Sequence, residues 1–386
     1  MTRLPAHVTD DPGLRRVMGV LAAGGARAWL VGGAVRNALL GQPVDDIDIA
    51  TDARPPRVMD LARAAGLRAV PTGIDHGTVT LVADGRGFEV TTLRRDVDTD
   101  GRRAVVSFSD DMAEDAARRD FTMNALYAGA DGQVLDPVGG LPDLAARRLR
   151  FVGDPDRRIA EDYLRILRFF RFLAHYGRDA DPGAVAACAA GAAGLDRIAR
   201  ERIGAEMRKL LAAPDPGPAM ALMARTGVLA HVLPGADPEG LDALLAAETA
   251  LDEPPRWPRR LAALAAPDAA GALRLSRPEA RHQQALAQAR DWSLAEAGYR
   301  LPPDTARDHA VLMAARGRAL PRGWRDDLDR AGAERLPIAA ADLPALSGPA
   351  LGRGLRAAET AWIASGFVLP APALIDTAIA AAEDPR

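Results

Sequence analysis

Cysteine and lysine are almost missing from this chain of 386 residues. Its single cysteine, Cys188, excludes an internal disulfide and any metal site built from several cysteines, and it is typical of a reducing compartment, which we expect to be the cytoplasm. Lys209 is the only lysine, so arginine supplies the remaining basic charge. A GC-rich genome produces the same bias, and abundant arginine alone therefore says little about function.

Long apolar runs and metal-binding histidine patterns are also missing. No apolar run is long enough to cross a bilayer, and Met1–Asp11 lacks the apolar core of a signal peptide, so we expect no membrane contact. The six histidines show no zinc-type spacing. The net charge of −3 and the hydrophobic share of 48% indicate a globular protein of two or more domains, in which any nucleic-acid binding must come from local patches.

One stretch, AWLVGGAVRNALLGQPVDDIDIAT from Ala28 to Thr51, organises the rest of the chain. Its apolar start, its glycine pair and its later alternation predict a strand–turn–helix–strand unit. In order, the predicted elements are a buried strand (Ala28–Val31), a tight turn (Gly32-Gly33), a helix (Ala34–Leu40) that ends at Gly41, and a second strand (Asp46–Ala50).

Two features of this stretch indicate phosphate chemistry. Asp46 and Asp48 share one face of the predicted strand, and adjacent carboxylates repel each other unless a divalent metal lies between them. Arg36 and the amides of the Gly32-Gly33 turn offer an anion site. Alone, a glycine pair is commonly a plain turn, and Asp-x-Asp is commonly a solvated strand end. Together they favour a nucleoside triphosphate site and phosphoryl transfer.

The same stretch resembles the LVGGAVRD…DIDIAT signature of the tRNA nucleotidyltransferase and bacterial poly(A) polymerase family, within the DNA polymerase β superfamily. The resemblance implies that Asp46 and Asp48 are catalytic and hold two Mg²⁺ ions. One departure is Asn37, which stands where the family usually has Asp. Asn keeps the size and the hydrogen bonding of that position but removes its charge.

A third acidic residue is found on a predicted hairpin formed by Thr78–Val82 and Gly87–Thr92. Spacing alone favours a solvent-facing Glu89. The family resemblance reverses this interpretation, because EVTT is where such enzymes carry their third acidic residue. We therefore expect Glu89 to be catalytic together with Asp46 and Asp48.

Two further segments resemble family motifs. Arg94–Phe108 is charged and weakly patterned, which predicts a loop; it resembles the family's flexible loop that reshapes the nucleotide pocket, although a solvated loop fits the spacing equally well. RRDFTMNAL, ending at Leu126, resembles the RRDFTINAL motif. That resemblance implies that Arg119 contacts the triphosphate and that Asp120 and Asn124 help to select ribose, whereas the residues alone also allow a helix start capped by Asp120.

Arg157–Ala174 predicts one helix with a row of charged residues at every third position: Asp162, Arg165, Arg168 and Arg171. An exposed row of ion pairs is one interpretation. A base-reading pair is the other, because a carboxylate accepts and a guanidinium donates, which matches cytosine and adenine and opposes uracil and guanine. The segment resembles the family's EDxLRILR motif, which implies that Asp162 and Arg165 read the base and that Arg168 and Arg171 hold phosphates.

The remainder of the chain predicts helices only. Arg197–Leu211 resembles the family motif that braces the base-reading helix, and the proline-rich segment Pro214–Pro218 predicts a break. Beyond it the Ala/Leu-rich sequence predicts a helical bundle. The resemblance implies that this part clamps tRNA; the residues with side chains suited to RNA contact, which are equally ordinary surface residues, are Arg281, His282, Arg322 and Arg325.

We therefore predict an α+β fold with a small mixed-sheet catalytic head (residues 1–140), a helical neck (141–213) and an all-α body and tail (214–386). The resemblance implies addition of CCA to the 3′ end of tRNA from CTP and ATP with Mg²⁺, without an obligate protein partner. Three alternatives stay open: a poly(A) polymerase, an enzyme that adds only CC or only the final A, and an inactive RNA-binding protein. The loop segment Asp100-Gly101-Arg102 resembles CCA-adding members, and the intact acidic residues argue against an inactive protein.

Overall fold

The computed structural model describes residues 2–97 and 105–383, which form two compact units. The first unit takes the described residues up to Ile198 together with Arg225–His231. The second takes Ala199–Ala224 and the described residues from Val232 onward. Across these residues, no helix combines the length and the apolar character needed to span a membrane.

The first unit is built on a seven-stranded mixed sheet, which confirms the predicted α+β class. The strands, including two smaller pairs, are β1 (Ala28–Val31), β2 (Asp48–Thr51), β3 (Arg68–Gly73), β4 (Thr78–Ala83), β5 (Arg86–Thr92), β6 (Arg94–Val97), β7 (Val105–Phe108), β8 (Tyr127–Ala128), β9 (Val134–Leu135), β10 (Arg148–Leu149) and β11 (Asp179–Ala180). The main sheet has the order β3-β4-β5-β2-β1-β8-β9. Within it β2 and β5 are parallel, and the other neighbouring pairs are antiparallel.

Helices make up most of the remaining described chain. In chain order they are α1 (Ala6–Thr9), α2 (Pro12–Ala23), α3 (Gly33–Leu39), α4 (Pro55–Ala64), α5 (Met112–Ala117), α6 (Gly140–Ala146), α7 (Pro155–Glu161), α8 (Leu164–Tyr176), α9 (Pro182–Gly191), α10 (Arg200–Leu211), α11 (Gly217–Arg225), α12 (Val228–Val232), α13 (Glu239–Ala250), α14 (Trp257–Ala263), α15 (Ala269–Ala272), α16 (Arg277–Gln288), α17 (Leu294–Arg300), α18 (Pro303–Ala315), α19 (Trp324–Ala333), α20 (Gly348–Ala364) and α21 (Ala371–Glu383). Short 3-10 turns lie at Ile74–His76, Thr122–Asn124, Ala192–Arg197 and Ala340–Asp342.

Local sequence explains why these elements begin and end where they do. Asp11 caps α2 by accepting a hydrogen bond from the backbone N–H of Leu14 at 2.7 Å, and the apolar face of that helix is buried. The β4–β5 hairpin turns at Asp84 and Gly85, which both have positive φ angles (52° and 79°), as a tight two-residue turn requires. Gly41, just beyond α3, has φ +66° and ends that helix as predicted.

The strand predicted at Asp46–Ala50 is wrong in its start, because β2 begins at Asp48. The register of the sheet gives the reason. Asp48 lies opposite Val31, the last residue of β1, and the chain then turns away at Gly32. Asp46 therefore has no β1 residue opposite it and belongs to the loop before the strand.

The prediction of a loop over Arg94–Phe108 is also wrong in part. Its two ends form the antiparallel pair β6–β7, with Arg94 opposite Phe108 and Val97 opposite Val105. Cross-strand hydrogen bonding thus orders sequence that has little hydrophobic alternation. The segment Asp100-Gly101-Arg102 lies outside the described residues.

The single helix predicted over Arg157–Ala174 is two helices. α7 ends at Glu161 and α8 begins at Leu164, and Asp162 between them is extended, with φ −156° and ψ 106°. The Asp162 carboxylate accepts the backbone N–H of Leu164 at 3.1 Å. A short acidic side chain that bonds its own downstream backbone offers an alternative to helix continuation, which accounts for the break.

All the elements formed by the described residues of the second unit are helices, which confirms the predicted helical body, and α10 and α11 are separated at the proline-rich segment. A buried ionic cluster lies inside it. Arg259 and Arg260 are 0% and 2% exposed, and both donate to Glu248. Arg259 also pairs with Glu253 and Asp308, so its single positive charge is matched within the protein.

Candidate nucleotide site in the first unit

Acidic side chains meet where β2 and β5 run parallel. Asp48 and Glu89 are direct register partners on these strands, and both are exposed. Although Asp48 is exposed, neighbouring protein atoms displace part of its hydration, which raises its pKa above the usual value; the negative charges of Glu89 and Asp46 raise this pKa further, while Arg119 opposes them. The negative charges of Glu89 and Asp46 therefore act on Asp48, so the three predicted acidic residues share one region of negative potential.

This acidic edge suits a metal shared with a substrate rather than a closed protein cage. Within the described residues, no group of three or more His, Cys, Asp or Glu side chains could hold a metal ion alone. Mg²⁺ typically keeps several waters and binds one or two carboxylates together with substrate phosphates. The repulsion that raises the pKa of Asp48 is the repulsion that a divalent cation would relieve, so Asp46 and Asp48 fit the predicted group.

The Gly32-Gly33 turn lies beside two guanidinium groups. Gly32 has φ +68°, a conformation that favours glycine. A Cβ atom added to Gly32 would lie 3.4 Å from Nη1 of Arg119, and one added to Gly33 would lie 3.6 Å from Nη2 of Arg36. The glycine pair thus keeps open the space next to both arginines.

Among the described residues, a buried carboxylate and a tyrosine hydroxyl hold one side of Arg119. Its Nη2 donates to Asp115 at 2.9 Å and its Nε to the Tyr127 hydroxyl at 3.0 Å, and that hydroxyl donates to Asp115 at 2.6 Å. Despite burial, the guanidinium groups of Arg119 and Arg118 hold the pKa of Asp115 at about 2. These contacts use Nε and Nη2, and Nη1 of Arg119 faces the Gly32 turn.

Arg36 is more enclosed than the sequence indicates. It is 5% exposed, and its Nη1 donates to Oδ1 of Asn124 at 2.5 Å. Its guanidinium carbon lies 3.8 Å from the ring centre of Tyr176 and 5.2 Å from that of Phe172. Burial lowers the pKa of Arg36.

Asp120 connects the sheet region to α8. One of its oxygens accepts from the amide of Asn124 at 3.1 Å, and the other accepts from Nε of Arg168 at 3.0 Å. Although burial opposes ionisation, Arg168 and these hydrogen bonds hold the pKa of Asp120 below its usual value. The alternative interpretation, a helix start capped by Asp120, is wrong, since Phe121 precedes the 3-10 turn and no side chain caps it. Asp120 instead accepts a hydrogen bond from Arg168, the residue predicted to hold phosphate.

The two residues proposed to read the base, Asp162 and Arg165, bond to different parts of the chain. Arg165 donates to the carbonyl of Arg158 at 2.7 Å and also binds Glu161. Asp162 lies at the break before α8, where it holds the first turn of that helix. Arg171 lies over the ring of Phe172 at 4.4 Å. The predicted roles of these residues stay predictions.

Sequence reasoning missed the residues that position the arginines. Asp115 precedes Arg118 and Arg119 by three and four residues, a spacing that could have identified it on a helix surface. Tyr127 and Tyr176 gave no signal of this kind, because their contacts are with residues distant in sequence or in other elements.

The four residues suggested for RNA contact in the second unit differ from one another. His282 lies 2.9 Å from Asp308, and Arg325 binds Glu253 and the carbonyl of Leu251. Arg281 and Arg322 are exposed. Intramolecular contacts thus already occupy two of the four.

Comparison with known proteins identifies two matching segments. Residues 28–150 match the family described as the poly A polymerase head domain, and residues 181–239 match the family described as the probable RNA and SrmB-binding site of polymerase A. The human mitochondrial CCA tRNA nucleotidyltransferase 1 is 46% identical over 189 residues, which cover 47% of this chain and 43% of the relative. The CCA-adding enzyme of Geobacillus thermodenitrificans is 42% identical over 218 residues, which cover 56% of this chain and 53% of the relative. The chain thus spans about half the length of these curated relatives.

A solved structure extends the similarity to nearly the whole chain. The crystal structure of the Bacillus stearothermophilus CCA-adding enzyme in complex with CTP is similar with a TM-score of 0.71 and 30% identity, and the match covers 92% of this chain and 94% of that one. Both the sequence motifs and the fold agree with this relationship. The chain therefore belongs to the family of CCA-adding enzymes and bacterial poly(A) polymerases.

Proposed function

We propose that this protein adds CCA to the 3′ end of tRNA, using CTP and ATP without a nucleic-acid template. The observation that carries the proposal is the meeting of an acidic strand edge with two arginines at the Gly32-Gly33 turn. Negative side chains that suit a metal and positive side chains that suit a triphosphate lie together, as nucleotidyl transfer requires. The 30% sequence identity to the CCA-adding enzyme crystallised with CTP supports CTP as a substrate.

The reaction forms one bond and breaks one bond. The 3′ oxygen of the RNA attacks the α-phosphorus of the nucleotide, its proton leaves to solvent, and the bond to the departing pyrophosphate breaks. Nucleotidyltransferases of this family generally use a divalent metal. We propose Mg²⁺, which would lower the pKa of the attacking hydroxyl and offset charge on the triphosphate. Asp46 and Asp48 would hold it, and Glu89 adds to the negative field.

Arg119, Asp120 and Asn124 would position the nucleotide. The open Nη1 of Arg119 would contact the triphosphate, held in direction by Asp115 and Tyr127. Asp120 and Asn124 would favour ribose, from a fixed arrangement that Arg168 and Arg36 maintain. A fixed set of polar groups discriminates well, because a sugar that lacks a hydroxyl leaves its partner unbonded.

Base selection would require a rearrangement. For Asp162 and Arg165 to read a base edge, Arg165 must exchange Glu161 for the nucleobase. Arg168 and Arg171 would then lie along the phosphate side of the same helix. We propose that residues 1–140 are catalytic, that residues 141–213 carry the base-reading segment, and that residues 214–386 bind tRNA in the cytoplasm.

The test is incorporation of labelled nucleotides into tRNA that ends before CCA, with Mg²⁺ present. CTP alone should add two residues, and CTP with ATP should add three and then stop. A long ladder with ATP alone on any RNA would instead identify a poly(A) polymerase. Addition of only the final A would identify a partial enzyme, and no incorporation at all would favour an inactive RNA-binding protein.

A further inference from the structure

Asp46 lies just before β2, outside the strand pairing that holds Asp48. β2 begins at Asp48, opposite Glu89 of β5, and Asp46 is exposed in the loop that precedes it. On one side of Asp46 the chain is fixed by Ile47, whose side chain is 5% exposed. A carboxylate that binds a metal needs neighbours that keep its direction fixed. The question is therefore what holds the chain on the other side of Asp46.

Arg86, the first residue of β5, binds the backbone on that other side. Its Nη2 donates to the carbonyl oxygen of Asp45. Asp45 and Arg86 each precede the register pair Asp48–Glu89 by three residues, so they lie where pairing would continue if β2 were longer. A bond from the Arg86 side chain thus supports the loop at the point where the sheet does not.

Arg86 is itself held by the start of α2. Its Nη1 donates to Oδ2 of Asp11 at 3.3 Å, and Oδ1 of Asp11 accepts from the backbone N–H of Leu14 at 2.7 Å. The guanidinium carbon of Arg86 lies 5.4 Å from the ring centre of Phe88, which is fully buried. Contacts to a capped helix and to a buried ring therefore set the direction of the guanidinium that reaches the loop.

We infer that Arg86 is a positioning residue, which fixes the backbone before Asp46 and thereby keeps the Asp46 carboxylate directed to the proposed metal position. This inference rests on the proposed function, which assigns the metal to Asp46 and Asp48. A guanidinium suits the task because its planar fork donates in fixed directions to two acceptors at once. The Asp11 carboxylate offsets the charge of Arg86, so Arg86 acts through geometry and not through attraction of the nucleotide.

The experiment compares Arg86→Met with wild type by isothermal titration of CTP, once with Mg²⁺ and once with EDTA. Methionine keeps an unbranched, flexible side chain and removes every donor. With Mg²⁺, CTP should bind the variant about tenfold more weakly, which is the scale for losing a group that orients a metal ligand. With EDTA, CTP should bind the variant and wild type alike, because no metal depends on Asp46.

Arg16→Met is the matched control. Arg16 pairs with Asp84 at 3.6 Å and so also connects α2 to the β4–β5 hairpin. Its removal deletes the same charge from the same region, and it should leave CTP affinity unchanged under both conditions.

The Mg²⁺ dependence of nucleotide incorporation separates positioning from a general loss of stability. In Arg86→Met the half-saturating Mg²⁺ concentration should rise about tenfold, while the rate at saturating Mg²⁺ should stay close to that of wild type. A destabilised protein would be slower at every Mg²⁺ concentration. Arg86→Lys is the second variant: it keeps the charge but replaces the fork by one ammonium group, so it should also weaken CTP binding only when Mg²⁺ is present.

Three results would overturn the inference. They are wild-type CTP affinity in Arg86→Met with Mg²⁺, an equal loss of affinity with EDTA, and an equal loss in Arg16→Met. The second would mean that Arg86 acts on the nucleotide directly, and the third that only charge matters. Failure of wild type to bind CTP with Mg²⁺ would instead overturn the proposed function.

Discussion

Arginine and carboxylate side chains cluster in both units, but the two clusters are built differently. In the second unit Arg259 and Arg260 are enclosed, and Glu248, Glu253 and Asp308 match their charges. In the first unit Arg119 and Arg36 flank the Gly32-Gly33 turn, and within the described residues Nη1 of Arg119 faces that turn while Arg36 bonds the neutral amides of Asn37 and Asn124. The abundance of arginine therefore does not show which cluster is functional. The two clusters differ in whether an arginine nitrogen faces an open turn that a substrate could enter.

The largest difference should appear when the acidic edge is changed. Asp48→Asn removes one negative charge at the proposed metal position while keeping the side-chain size, and we expect nucleotide incorporation to fall by roughly a thousandfold or more. Thermal stability should not fall, because the pKa of Asp48 is raised and its charge is therefore unfavourable in the folded state. Primer extension and a melting curve on the same sample test both statements, and near-normal turnover would contradict the catalytic role.

The matching change in the second unit should affect stability instead. Glu248→Gln removes the carboxylate that both Arg259 and Arg260 contact, which leaves two buried cations short of a partner. Breaking a buried ion pair from one side costs about 3–5 kcal/mol. Urea unfolding should show this loss. Incorporation measured well below the melting temperature should stay close to wild type, and an equally stable variant would show that the cluster is not structural.

The pH dependence of the second unit offers a further contrast. His309 is 1% exposed, and burial, with the nearby charges of Arg316 and Arg318, lowers its pKa from 6.5 to about 4. The unfolded chain therefore binds a proton that the folded chain resists, and stability should be lost as the pH falls from about 6.5 to 4. The loss should approach ~3 kcal/mol. Denaturant unfolding at several pH values measures it, and His309→Leu should remove this part of the dependence.

A smaller effect is expected at the base-reading segment. Asp162→Asn keeps an acceptor for the Leu164 N–H and adds an N–H donor. The carbonyl oxygen of uracil or guanine, which an ionised carboxylate would repel, could then accept a hydrogen bond from residue 162. Discrimination of CTP and ATP against UTP and GTP should fall by about tenfold, since one unpaired buried polar group costs about 1–3 kcal/mol. Incorporation of each nucleotide alone measures the ratio. Unchanged discrimination would place base selection elsewhere.

The sequence predicted those parts of the fold that depend on local patterns. The hairpin of β4 and β5 and the helix end at Gly41 follow from turn residues and positive φ angles, which neighbouring residues determine. The helix break at Asp162 was not predicted, because neither proline nor glycine marks it. The break instead coincides with a hydrogen bond from the backbone N–H of Leu164 to the Asp162 carboxylate. The β6–β7 pair depends on cross-strand bonding that alternation does not reveal.

The candidate site was predictable in composition more than in arrangement. Motif resemblance supplied Asp48, Glu89 and Arg119, and the parallel pairing of β2 and β5 places the two acids opposite each other. The chain of contacts from Arg36 through Asn124 and Asp120 to Arg168 joins residues far apart in sequence, so no spacing rule could give it.

The most direct test of the contrast between the units is CTP binding by two arginine variants. Arg119→Gln removes a charge that faces the glycine turn, whereas Arg325→Gln removes one that pairs with Glu253 in the second unit. By isothermal titration with a divalent metal present, Arg119→Gln should bind CTP about tenfold to a hundredfold more weakly, as expected for a lost charge-assisted hydrogen bond. Arg325→Gln should bind CTP like wild type. Equal affinities for wild type and Arg119→Gln, or an equal loss in both variants, would contradict the assignment of the nucleotide site to the first unit.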